Sequence, residues 1–367
     1  MLPPADHFEP VGPTKEALEF VSLVAIDLGR YGDGPEARNH LADQIRQAMV
    51  TQGFFFVVNH GIAEADITRQ VDIGYHILKN TSDDEKQRLR APIIEEGSYH
   101  GFKPRGHWRT AGEVRDKAEN FNVYRDMSLR EQPTCMEPFR PEIQHFIERT
   151  HKDVLGKLLR IFAIALEIND EDFFVKLHSY DGHDETFLRY MQYYDAFSEE
   201  ERKITKGLWF AGHQDLTSLS LLFSQPMTSL QVREYESDQW KYVPHIPGAI
   251  IVNAGEVMAW WTGNYFKAAI HRVVEPPADQ RGHDRCSIFY FCVPNDEVVI
   301  NTLLQESPVL RAADVAMAHL PDKAPNSKDW ANDRIKISLR NAVWAKTDEA
   351  DNVIAETVGN VATRWFR

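Results

Sequence analysis

The chain has 367 residues, 43% hydrophobic and 26% charged, a globular balance with length for two domains or one elaborated core. Its 55 acidic against 41 basic residues leave a formal charge of −14, which argues against nucleic acid and anionic membrane surfaces as partners. Three cysteines, Cys135, Cys286 and Cys292, are too few for a disulfide framework and form no CxxC zinc motif.

Residues 1–20 are rich in Pro and charge and read as a flexible arm. From 21 to about 90 the expected order is strand, helix, strand, helix, helix. Val21–Ile26 and Phe54–Val58 are the strands, and Leu41, Ile45 and Met49 mark the first helix. Ile67, Val71 and Leu78 mark the second, and Ser82 with Glu85 forms a cap for the third. The glycine-rich stretch from about 95 to 135 reads as a long loop carrying Tyr99, Phe102, Trp108 and Phe121. Pro141 then opens a long helix with a stripe from Ile143 to Leu166.

After Asp184 the period changes to two. Strands are expected at 187–194, 216–223, 230–234, 240–243, 249–252, 257–261, 268–274 and 285–293, which suits a sandwich or jelly roll. The tail from 309 to 367 reads as mostly helical, with Trp330, Trp344 and Trp365 as anchors. No apolar run is long enough to span a membrane, and no leader is evident at the start. With three reduced thiols, this places the protein in the cytoplasm as an expectation.

Within the β-region, His213-Gln-Asp215 puts an imidazole and a carboxylate two residues apart, on one face of a strand. His271 follows on another expected strand. Two histidines and one carboxylate are the set that holds non-haem Fe(II) with open positions. Alone, His-x-Asp is a weak signal, since 15 histidines give about one chance match. His151-Lys-Asp153 falls on a helix and His183-Asp-Glu185 in a turn, so neither has this context. Arg285 and Ser287 again share a strand face, and a guanidinium with a hydroxyl forms a carboxylate clamp.

These motifs, with Asn253-Ala-Gly-Glu256 and Lys267-Ala-Ala-Ile-His271-Arg-Val-Val, resemble the 2-oxoglutarate/Fe(II)-dependent dioxygenases in their isopenicillin N synthase-like branch. Gly53-Phe-Phe-Phe-Val-Val-Asn-His60-Gly and Gly101-Phe-Lys-Pro-Arg-Gly106 resemble that branch's N-terminal region. Val252-Asn-Ala-Gly and His271-Arg-Val-Val-Glu-Pro-Pro277 are similar to fungal small-molecule oxygenases, thymine hydroxylases among them.

The resemblance implies an α+β fold: a double-stranded β-helix (jelly-roll) core flanked by helices, with an N-terminal α/β region. The expected division is a flexible arm at 1–20, an N-terminal dioxygenase region at 21–135, backing helices at 136–184, the core at 185–300, and a helical region packing on it at 301–367. Fe(II), 2-oxoglutarate and O2 are the implied cofactors, with His213, Asp215 and His271 as iron ligands. Arg285, Ser287, Tyr194 and Gln192 are the implied 2-oxoglutarate residues. Phe291, Phe289, Arg105, Trp108 and Asn122 are candidate substrate contacts.

The expected reaction is oxidation of an apolar small molecule, in secondary metabolism, with release of succinate and CO2. The only expected partner is that small molecule, with no nucleic acid, membrane or obligate protein partner. An Fe(II) oxidase of the same fold that does not use 2-oxoglutarate is the alternative, because the Arg-x-Ser pair can also hold a substrate carboxylate.

Overall fold

A computed structural model describes residues 2–318, 323–337, 353–358 and 361–366, the last two stretches by their backbone. The chain begins with β1 (Ala25–Asp27), α1 (Pro35–Thr51), β2 (Phe54–Val58), α2 (Glu64–Asn80) and α3 (Asp83–Arg88). Pro35 occupies the first turn of α1, where its missing N–H costs nothing. Ser82 caps α3 by accepting the Glu85 N–H.

The stretch read as a loop instead carries β3 (Gly101–Lys103), β4 (Arg109–Ala111), β5 (Val114–Arg115) and β6 (Ala118–Tyr124). Every residue of β6 is buried, including Glu119, Asn120 and Asn122. A strand buried on both faces shows no alternation, and its polar residues disguised it.

Next come α4 (Arg140–Arg149) and α5 (Gly156–Ala165), joined without a break through a π-helical turn at Thr150–Leu155. After α6 (Phe173–Leu177) follow β7 (Phe187–Tyr193), α7 (Glu199–Thr205), β8 (Leu208–His213), β9 (Leu219–Phe223), β10 (Leu230–Arg233), β11 (Trp240–Tyr242) and β12 (Ile250–Ala254). Then come α8 (Glu256–Trp261), β13 (His271–Val274), β14 (Arg285–Cys292), α9 (Pro308–Ala312), α10 (Ser327–Ile337), β15 (Val353–Val358) and β16 (Val361–Phe366).

Residues 257–261, read as a strand, are therefore helical. Their unbroken apolar run fits a buried helix as well as a buried strand. Gly255 decides the matter: a Cβ there would lie 2.1 Å from the Thr217 carbonyl oxygen, so the chain turns in tight contact with the 215–217 loop.

Two sheets face each other. One has the order β1-β2-β12-β9-β14-β7-β6-β3, the other β11-β10-β13-β8-β16-β15. This is the jelly roll flanked by helices. The N-terminal strands enter the larger sheet at both edges, so that sheet is continuous across the expected 135 and 185 boundaries. Along β7, Leu188 and Tyr190 join the core beneath the helices, while Phe187, Arg189, Met191 and Tyr193 face the space between the sheets. Gly74 lets α2 sit close: a Cβ there would be 2.4 Å from the Tyr190 ring.

Both chain ends differ from expectation. The N-terminal stretch lies along the body. Asp6 bonds His76 and Asn80, the Phe8 N–H donates to Asp72, and the Lys15 N–H donates to Asp279. Among its described residues the tail is not mostly helical, since β15 and β16 form a hairpin. The hairpin pairs with β8 through Trp365 opposite His213, which covers an otherwise open strand edge. Trp344 lies outside the described residues.

Candidate active site

β8 ends at His213, and β13 begins at His271 directly opposite it in the ladder. Their ring centres are 4.3 Å apart. Asp215 is not on the strand, as the spacing predicted, but in the turn after it. The turn still returns its carboxylate to both rings. Oδ1 lies 3.5 Å from Nε2 of His213 and 3.8 Å from Nε2 of His271. One ligand atom from each of the three residues lies within 4.8 Å of the others, the only such metal-capable group among the described residues.

The surroundings prepare the three for a cation. Nδ1 of His213 faces the Ala211 carbonyl at 3.0 Å, and Nδ1 of His271 faces the Ala269 carbonyl at 3.3 Å. A carbonyl only accepts, so each Nδ1 is assigned the proton and each Nε2 turns a lone pair to the shared point. Burial, with His213 alongside, lowers His271 to about 4 and keeps it neutral. For Asp215, burial opposes ionisation, but His271, His213 and the Asn253 amide together hold its carboxyl below the usual range. Asn253 Nδ2 donates to Asp215 Oδ2 at 2.9 Å.

On the facing sheet, Arg285 lines the same pocket from β14, and Ser287 shares its strand face two residues further on. Arg285 is 1% exposed, yet its Nε and Nη1 have no partner, and neither has Oγ of Ser287. Buried donors left open on two residues of one strand face are the complement of a carboxylate.

Gln192 and Tyr194 do not join this clamp. In the β7–β14 ladder Arg285 stands opposite Tyr193, and Gln192 stands opposite Cys286. Gln192 donates instead to Asp284 at 2.9 Å. Tyr194 donates to Glu119 at 2.5 Å, with Arg105 stacked over its ring. The expected pair was off by one residue, which in a strand moves a side chain to the other face. Tyr193 is the tyrosine beside the clamp, its ring centre 5.2 Å from the Arg285 guanidinium carbon.

The space between the sheets is a pocket of about 1090 Å³ counting its mouth. Phe289, Phe291 and Trp108 line it. Arg105 and Asn122 do not. Arg105 is engaged with Tyr194, and Asn122 is spent on the Tyr99 carbonyl and Arg189. Sequence reasoning passed over Tyr193 and Arg189, and named Asn253 in a motif without a role. Arg189 left a signal, being an arginine on the pocket parity of a strand otherwise made of Phe187, Met191 and Tyr193. The two decoys serve structure: His151 bonds Tyr290 and the His178 carbonyl, and His183 sits in the turn before β7.

The model of the 2OG-Fe(II) oxygenase superfamily matches residues 177–294. That of the non-haem dioxygenase in morphine synthesis N-terminal region matches residues 24–142. The chain is 28% identical over 297 residues to the 2-oxoglutarate-dependent dioxygenase frbH of Dothideomycetidae sp., covering 79% of this chain and 87% of that one. It is 28% identical over 266 residues to isopenicillin N synthase of Streptomyces microflavus, covering 66% and 77%. Among solved structures, Neurospora crassa T7H in complex with alpha-KG superposes with a TM-score of 0.71 at 21% identity, covering 85% and 95%. JOX2 in complex with 2OG, Fe and JA superposes with a TM-score of 0.66 at 20% identity, covering 89% and 88%.

Proposed function

The chain belongs to the 2-oxoglutarate/Fe(II)-dependent dioxygenases, in the isopenicillin N synthase-like branch, and from that premise we propose that it oxidises a C–H bond of a largely apolar small molecule in secondary metabolism. It is a 2-oxoglutarate-dependent dioxygenase, and its cofactors are Fe(II), 2-oxoglutarate and O2. In this reading His213, Asp215 and His271 hold the iron. Arg285 and Ser287 hold the distal carboxylate of 2-oxoglutarate. The observation that carries the assignment is the set of unpartnered buried donors on Arg285 and Ser287. A buried guanidinium without an anion is costly, and a dicarboxylic co-substrate supplies one.

When bound, the metal would activate O2, which is the oxidant: it would oxidise 2-oxoglutarate to succinate and CO2 by two electrons and the substrate by the other two. The chain's own residues bind and orient. Asn253 fixes the Asp215 carboxylate so that Oδ1 faces the histidines. The two backbone carbonyls fix the imidazole tautomers. Phe54, Phe210 and Trp108 wall the pocket with apolar surface and keep water from the reacting centre.

An apolar small molecule suits that wall, and the structural neighbours include T7H with thymine and JOX2 with JA. Hydroxylation, desaturation and rearrangement all share this site. Among the described residues no helix is long and apolar enough to cross a membrane. The three free thiols support a reducing compartment, and the cytoplasm is the proposed location.

The test is a panel of apolar small molecules scored by substrate-dependent succinate release. Succinate formed one-for-one with oxidised product is expected. Oxidised product without succinate overturns the 2-oxoglutarate reading in favour of an oxidase.

A further inference from the structure

The buried cations of the described residues divide into two groups. Lys103 pairs with Asp116 at 2.5 Å, Arg125 with Asp184 at 2.8 Å, and Arg334 with Glu256 at 3.0 Å. Arg285 and Arg189 pair with no carboxylate among the described residues, and both line the one pocket. Arg285 is accounted for by the co-substrate. Arg189 is not.

Arg189 is 9% exposed and sits in the middle of β7. Its Nε donates to Asn122 Oδ1 at 2.7 Å. The Asn122 amide is itself fixed, because its Nδ2 donates to the Tyr99 carbonyl at 2.5 Å. That bond turns the Nη edge of the guanidinium away from Asn122. Three rings surround the group, with centres 4.9 Å (Phe291), 5.1 Å (Phe187) and 5.3 Å (Tyr99) from its central carbon. The acid whose field reaches it is Asp215, already engaged with the two histidines and Asn253. Aromatic faces offset part of the cost of burying a cation, but they leave a planar fork of donors with no oxygen to receive it.

The 2-oxoglutarate carboxylate held at Arg285 cannot also serve Arg189. Arg285 stands opposite Tyr193 and Phe289 opposite Arg189, so the two arginines are four residues apart along the ladder. Their backbones are thus about 13 Å apart, and the Arg285 guanidinium lies by Tyr193 while that of Arg189 lies by Phe187 and Phe291, so one carboxylate does not bridge them.

We infer that Arg189 is a substrate-binding residue, and that the substrate is an apolar or aromatic molecule bearing a carboxylate that pairs with it. This rests on the reading above, in which the pocket takes the substrate, and it narrows the substrate class. The carboxylate meets the fork in bidentate fashion, and the rest of the molecule lies against Phe291 and Phe187. A neutral analogue of the same shape leaves the fork unpaired and binds poorly for that reason.

The test uses the full chain with Mn(II) in place of iron and saturating 2-oxoglutarate, so that the Arg285 clamp is filled. Cinnamate, phenylacetate and indole-3-acetate are titrated by calorimetry beside their methyl esters. At least one acid is expected to bind tenfold or more tighter than its ester. Arg189→Met should abolish that preference and Arg189→Lys should keep only part of it, with the affinity for 2-oxoglutarate unchanged in both. A panel in which no acid outbinds its ester, or a preference that survives in Arg189→Met, overturns the inference.

If the Met variant fails to bind 2-oxoglutarate, Arg189→Lys decides, because it keeps the charge and removes the fork. An undiminished preference there also overturns the inference. Failure of the wild-type chain to bind 2-oxoglutarate would count against the oxygenase reading instead, and that titration is separate.

Discussion

Arg285 and Tyr193 face each other across the β14–β7 ladder, with the guanidinium carbon 5.2 Å from the centre of the phenol ring. Tyr194, the next residue, is turned to Glu119. The two tyrosines therefore separate experimentally. Tyr193→Leu should weaken 2-oxoglutarate binding by about 1–2 kcal/mol, the worth of a desolvated cation–π contact. Tyr194→Phe should leave it unchanged. Arg285→Ala should cost about 2–5 kcal/mol in 2-oxoglutarate binding, and Arg285→Lys should recover only part. Equal effects from the two tyrosine variants would contradict the ladder register.

Asn253 touches Asp215 on the side away from the histidines. Partners of this kind typically govern metal affinity by about 10–100-fold. Asn253→Ala should lower Mn(II) or Fe(II) affinity within that range, and His213→Ala or His271→Ala should abolish stoichiometric binding. Calorimetric metal titration reads all three. Full metal affinity in a histidine variant would remove it from the ligand set.

Phe291 stacks on Phe289 at 5.5 Å and contacts the Phe187 ring at 5.0 Å. Phe291→Ala should reduce substrate affinity or change product selectivity, while metal and 2-oxoglutarate binding persist. If thermal stability falls and substrate affinity holds, Phe291 is a packing residue.

What could be read in the sequence follows from how local each signal is. His213, Asp215 and His271 could be linked because spacing and residue type carry that chemistry directly, although Asp215 reaches the rings from a turn. Arg285 and Ser287 share a face simply because strands have a period of two. The choice between Tyr193 and Tyr194 depended on parity, and one residue of register reverses it. β6 was hidden because its polar residues are buried, Glu119 and Asn122 paired with Lys86 and Arg189 and Asn120 without a side-chain partner. α8 was hidden because Val257–Trp261 is apolar throughout, and only the contact of Gly255 with Thr217 makes the turn. Arg189 needed the third dimension, since only packing shows that no carboxylate among the described residues pairs with it.

Acid sensitivity should come from His151 and His178 beneath the larger sheet. Burial depresses them to about 3 and about 4. They are linked, with His151 Nε2 donating to the His178 carbonyl and His178 Nε2 bonded to Ser218 at 2.8 Å. Both are neutral when folded and titrate near 6.5 when unfolded, so the unfolded chain binds more protons between those values. Their contribution is whole above pH 6.5 and drains away as the pH falls towards 4. Each adds a slope of up to about 1.4 kcal/mol per pH unit in that window. Urea midpoints between pH 7 and 4.5 should fall steeply, and less steeply in His178→Gln. A flat profile, or an unaltered slope in the variant, would contradict the assignment.

The Asp215 turn is supported by α10. Arg334 Nε donates to Glu256 at 3.0 Å with both side chains buried, and the Glu256 N–H donates to the Asp215 carbonyl at 2.8 Å. Trp330 Nε1 adds a bond to the Leu216 carbonyl at 3.0 Å. The metal-facing turn is thus held from the C-terminal side through backbone contacts. Arg334→Ala leaves the Glu256 carboxylate buried without its partner, which costs about 3–5 kcal/mol. Burial already raises the Glu256 carboxyl above its ordinary value, so its charge depends on the arginine. Arg334→Met with Glu256→Gln removes both charges and should regain most of the loss. Denaturant unfolding measures the stability, and metal titration of the folded fraction measures the effect on the turn. If Arg334→Ala costs less than about 1 kcal/mol, the pair is not the anchor. If the double variant is no more stable than the single, the penalty does not come from the stranded charge.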